Sequence, residues 1–73
     1  MNQIWIKDQE NNLFLINNVT SNSDNEVCSV LDFENNGSLT LGTYETEERC
    51  DEVIKEIFES IKSGNFYYEM PEK

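Results

Sequence analysis

Fifteen carboxylates, two thiols, three phenols and one guanidinium are the groups with which this chain could do chemistry. There is no histidine. That removes Ser-His and Cys-His nucleophilic systems, imidazole metal ligation and the commonest general base. The thiols, Cys28 and Cys50, have no partner at Cys-x-x-Cys spacing, so no zinc site is expected. Both read as small core residues, because free cysteine is usually buried. Asp8-x-Glu10-x-Asn12 has the opening spacing of a calcium loop, but Leu13 and Val19 stand where that loop needs glycine and a bidentate glutamate. It reads as a solvated turn. No glycine-rich phosphate loop exists, and the three glycines are isolated. No catalytic residue, metal or cofactor is expected, and the chain does not read as an enzyme.

What stands out instead is charge. The formal net charge is −10, with Lys7, Arg49, Lys55, Lys62 and Lys73 the only cations. Direct binding to a nucleic-acid backbone needs basic clusters, and there is none. Nine of the fifteen acidic residues fall between Glu45 and the end of the sequence. Glu47, Glu48, Asp51, Glu52, Glu56 and Glu59 form a candidate docking strip for a partner with a basic surface, with a field that could mimic nucleic acid. Like charges at Glu47/Asp51, Glu48/Glu52 and Glu52/Glu56 cost a few tenths of a kcal/mol per pair on a helix. Such a cost is more easily explained if a partner uses the field, although solubility alone also accounts for a charged face. A second candidate group is Tyr44, Arg49, Tyr67 and Tyr68, which could line a small-molecule or nucleotide pocket.

The elements that must position these residues follow from periodicity. Strands are predicted over about 3–7, 13–17, 27–33, 39–44 and 66–70, and a helix over about 47–62. The polar run 8–12 reads as a hairpin turn, 18–26 as a loop, and Asn36-Gly37 as a hairpin turn with positive φ. Thr46 is the predicted N-cap, Glu47 and Glu48 complement the helix dipole, and Gly64 is the predicted stop. Cys50, Val53, Ile54, Ile57, Phe58 and Ile61 recur at the spacing of one helical face. The predicted fold is α+β: one domain over residues 1–73, with a small antiparallel sheet in the order β-β-β-β-α-β packed by one amphipathic helix.

A single helix covers only two or three strands of such a sheet. Strands one and two are apolar on both faces, so a surface is left over. Self-association through Trp5, Phe14 and Ile16 is the expected use, most simply as a two-fold dimer. No apolar run reaches the length of a membrane span, and MNQIWIKDQENN lacks the features of a signal peptide. The expected setting is the cytoplasm with reduced thiols.

The segments LGTYETEERCDEVIKEIFESIKSG and YYEMPEK, with the opening IWIKDQENNLFLI, resemble a family of small uncharacterised proteins of low-GC Gram-positive bacteria and their phages. The resemblance rests on Gly42, Tyr44, Glu47, Glu48, Arg49, Val53, Ile57 and the Tyr68-Glu69-Met70-Pro71 ending. Cys50 departs from the pattern, where a small residue such as alanine is usual. The resemblance implies a phage or prophage setting, in which small acidic proteins often inhibit host proteins, including immune systems. Two readings of function stay open: an acidic anti-defence protein that binds a host protein, and an oligomeric nucleotide or metabolite sponge with pockets at subunit interfaces.

Overall fold

The computed structural model describes residues 3–32 and 37–73. The first strand, β1 (Ile4–Lys7), pairs antiparallel with β2 (Leu13–Ile16) in the register Ile4↔Ile16, Trp5↔Leu15, Ile6↔Phe14 and Lys7↔Leu13. The turn between them is organised by Asp8, whose Oδ1 accepts from the backbone N–H groups of Glu10 (3.0 Å) and Asn12 (2.7 Å). Asn11 takes positive φ, a conformation asparagine tolerates. The Asp8 oxygens thus serve the turn itself.

Residues 18–26, predicted as a loop, contain a two-residue strand, β3 (Thr20–Ser21). It pairs antiparallel with β4 (Glu26–Asp32). Asparagine side chains make this segment orderly. Asn22 Oδ1 accepts from Asp24 N and Glu26 N, closing the turn. Asn18 Oδ1 accepts from Val30 N at 2.7 Å while its Nδ2 donates to Val30 O at 2.9 Å. That side-chain amide stands in for a strand partner where β3 has not yet begun. Strand β5 (Gly37–Thr43) pairs antiparallel with β4, with register shifts at Val27/Cys28 and Val30/Asp32. The predicted Asn36-Gly37 turn and the Phe33 end of predicted strand three lie outside the described residues.

The helix α1 (Glu47–Lys62) occupies the span that the periodicity predicts. Thr46 Oγ1 accepts from Arg49 N at 3.1 Å, which caps the first turn. At the other end Gly64 N bonds Ile61 O and Asn65 N bonds Ser60 O, with Gly64 at φ +83. This pair of bonds is a Schellman closure, and its left-handed residue favours glycine. The last strand, β6 (Tyr67–Glu69), pairs with β1.

The fold class is α+β, with six strands in two three-stranded sheets, β2-β1-β6 and β3-β4-β5. β1 is flanked on both edges, by β2 and β6, so neither edge is free for β5. The β1–β6 pairing is parallel, because the chain passes through the second sheet and the helix before returning. Inward-facing Ile4, Ile6, Ile16, Val27, Leu41 and Met70 meet Cys50, Val53 and Ile57 of the helix in one core. Phe58, predicted in that stripe, is 47% exposed at its margin. Among the described residues no helix is long and apolar enough to cross a membrane.

Candidate functional site

The predicted ligand group assembles in part. Tyr44 follows β5 and is buried, and its hydroxyl donates to Pro71 O at 2.9 Å. Burial pushes its pKa up to about 12, against the opposing pull of Arg49. The Arg49 guanidinium lies over the Tyr44 ring, 5.9 Å from the centroid. Its Nε donates to Lys73 O at 3.0 Å, and its Nη1 lies 3.7 Å from Glu56 and 3.9 Å from Glu52. Tyr68 donates to Glu56 Oε1 at 2.8 Å; burial, and then that bond, raise its pKa. Tyr67 does not join them. The strand alternation turns it to the opposite face of its sheet, where it is half exposed.

Sequence reasoning missed the residue that ties this cluster together, Gln9. Its Oε1 accepts from Thr43 N at 2.8 Å, and its Nε2 donates to Pro71 O at 3.0 Å and to Glu72 O at 3.2 Å. Its own backbone N–H donates to Leu41 O at 3.1 Å, linking the β1–β2 turn to β5. Nothing in a polar turn marks one glutamine out from its neighbours. The one available signal is Gly42, two positions before Tyr44. A β-carbon there would lie 2.8 Å from the Tyr44 hydroxyl and 3.1 Å from Gln9 Cδ, so glycine makes room for both.

Gln9, Tyr44 and Arg49 therefore clamp the main chain of 71–73 across the end of the core. An open cleft of about 430 Å³ adjoins them, lined by Thr43, Tyr44, Glu45, Thr46, Arg49 and Lys73. Arg49 is already engaged by a carbonyl and two carboxylates. Among the described residues no buried side-chain nitrogen or oxygen lacks a hydrogen-bond partner, and no cluster of three or more acidic or thiol side chains is placed to hold a metal. Cys28 and Cys50 are free and buried, and burial raises both thiol pKa values.

The six acidic residues of the strip are all exposed. At 100° per residue they spread over roughly half the helix circumference, with Lys55 and Lys62 inside the arc. Arg49 borders it beside Glu52 and Glu56. Such exposed pairs contribute little energy, and the net field of the arc stays negative. Glu52, Lys55, Glu56, Glu59, Ser60 and Tyr68 line a shallow groove of about 510 Å³ along it.

The predicted self-association residues are corrected by the β1–β2 register. Directly opposed residues share a face, so Phe14 and Ile16 lie inward with Ile6 and Ile4. Ile16 is 3% exposed and Phe14 is packed against the core. Trp5 does face outward, in the company of Leu13, Leu15 and Tyr67. An all-apolar LFLI strand does not reveal which alternate pair points in.

Compared with protein-family models, curated proteins and solved structures, the chain matches none.

Proposed function

We propose that this is a non-enzymatic interaction protein that docks on a basic surface of a host protein through the outer face of α1. The observation that carries the reading is the sorting of α1: Cys50, Val53 and Ile57 are buried, while Glu47, Glu48, Asp51, Glu52, Glu56 and Glu59 all face solvent. Folding accounts for the apolar stripe and the caps. It does not account for like charges at helical spacing, which oppose the helix. A partner of opposite charge would gain chiefly in association rate and orientation. The phage or prophage setting and an anti-defence role rest on the resemblance alone; the cytoplasmic location rests on composition, and nucleic-acid mimicry on the acidic strip.

The test uses carboxylates with no ion pair or side-chain hydrogen bond among the described residues: Glu48, Asp51 and Glu59. Glu52 and Glu56 are poorer choices, because Arg49 and Tyr68 engage them. A tagged chain is used to capture partners from host lysate at low and at physiological salt. The expected result is a basic partner that is lost from the E48K/D51K/E59K variant and that weakens steeply as salt rises. A partner retained equally by the variant at both salts would refute the docking surface.

One observation favours the second reading, a ligand-binding protein: Tyr44 and Arg49 both border the cleft of about 430 Å³. Nucleotides raising the melting temperature of the wild type, but not of Arg49→Met, would support it.

A further inference from the structure

We propose that the outer face of the β2-β1-β6 sheet is a two-fold interface for a second copy of this chain. The register sets Leu15, Trp5 and Tyr67 side by side across all three strands, with Leu13, Lys7 and Glu69 in the next row. Phe66, just before β6, lines a shallow surface cleft with Gln3, Trp5 and Leu15. Trp5 and Leu15 are each 43% exposed, Tyr67 51%, Leu13 55% and Phe66 72%. No element of the described chain covers them.

Charge selects the occupant. The only ionic groups in these two rows are Lys7 and Glu69, which pair at 2.9 Å and cancel. In a chain of net charge −10, this face is neutral. A basic partner would be drawn to the helix instead. A second copy presents the same neutral, apolar rows, which is what a two-fold contact requires. Apposing these faces also keeps the acidic arcs apart, because the inner face of the same sheet packs on the helix core. Most of each arc then lies across the core from the contact, and its nearest member, Glu56, is held by Tyr68 on the inner face of β6, the side away from the second copy.

The area is adequate for a reversible dimer. An aromatic side chain carries about 150–250 Å². At the observed exposures the five apolar side chains offer on the order of 500 Å² per copy, and Gln3, Lys7 and Glu69 add a rim. A standard interface removes about 800 Å² per partner, so this one belongs at the lower end of specific contacts. It is independent of docking through the helix.

Sedimentation equilibrium between about 1 and about 200 µM tests the proposal. The apparent mass should rise with concentration from 8.5 kDa toward twice that value. Trp5 is the only tryptophan, so its emission should shift to the red and become more open to iodide as the dimer dissociates on dilution. Leu15→Lys and Tyr67→Lys should each weaken association at least tenfold while far-UV circular dichroism and the melting profile of the monomer are kept. Glu59→Lys, on the helix, should not weaken it. A wild type that stays monomeric at the highest concentration overturns the proposal. So does a dimer that both sheet variants leave intact, or one that Glu59→Lys alone disrupts.

Discussion

One methyl group at Gly42 tests whether the clamp on 71–73 is as tightly fitted as its distances imply. The added β-carbon would lie 2.8 Å from the Tyr44 hydroxyl and 3.1 Å from Tyr44 Cε2 and from Gln9 Cδ. Gln9 is held at both ends, by Thr43 and by the 71–72 carbonyls, and Tyr44 is held by Pro71 O, so neither can retreat freely. Overpacking of this kind costs about 1–3 kcal/mol. Restricting the unfolded chain returns about 0.4–1 kcal/mol on replacing glycine with alanine. Gly42→Ala should therefore lower the stability by about 1–2 kcal/mol, a sizeable part of what a domain this small has. Urea unfolding followed by Trp5 fluorescence should show a lower midpoint at unchanged slope. Tyr44→Phe alone should cost about 1 kcal/mol, since Pro71 O keeps its bond from Gln9. It also deletes the atom that makes the shortest contact. In the Tyr44→Phe background Gly42→Ala should thus cost about 1 kcal/mol less than in the wild type. Strict additivity of the two changes, or stabilisation by Gly42→Ala, would refute the reasoning.

Thr46→Ala removes the acceptor for Arg49 N and should destabilise by about 1 kcal/mol, read from the urea midpoint. The Tyr44 pKa is raised from 10.0 to about 12, so the native state holds a proton that the unfolded state has lost in that range. Its contribution is fully present below pH 10 and is lost as pH rises toward 12; melting temperatures should fall across that window, and less so in Tyr44→Phe. Cys28 and Cys50, buried and with raised pKa values, should resist a thiol reagent in the native state and react quickly in urea. Raising salt should weaken capture of a basic partner by the helix, yet leave sheet-mediated self-association unweakened.

The helix was legible to the residue because its determinants are local. Thr46, the apolar spacing and Gly64 act within a turn or two of where they stand in the chain. The strand segments were legible for the same reason, through short apolar runs between polar turns. What decides how those strands combine is not local. The division into two sheets depends on β6 reaching the free edge of β1 across more than fifty intervening residues, and no feature of Tyr67–Glu69 names that partner. β3 escaped notice because Thr20 and Ser21 are polar; their pairing depends on turns closed by asparagine side chains, which in sequence read only as a loop. The face choice in LFLI is set by the geometry of the Asp8 turn, which fixes the register Ile6↔Phe14. Of the candidate sites, the acidic strip followed from helical period, whereas Gln9 became visible only once three distant segments met.

Gly42, Tyr44, Arg49, Tyr68 and Met70 acquire a common structural explanation from this geometry. Gly42 clears space for Tyr44 and Gln9. Tyr44 and Arg49 hold the main chain at 71 and 73, Tyr68 holds Glu56, and Met70 fills the core. Side chains with so complete a structural role have few free polar atoms left for ligand chemistry. The parts of the molecule that folding does not explain lie elsewhere, on opposite sides of the core. One is the negative outer arc of α1; the other is the neutral, apolar outer face of β2-β1-β6. Their separation means that occupying one surface need not disturb the other. A dimer formed through the sheets would carry two acidic arcs facing away from each other. It could then engage two basic sites at once, with the gain in avidity set by whether their spacing matches that of the arcs.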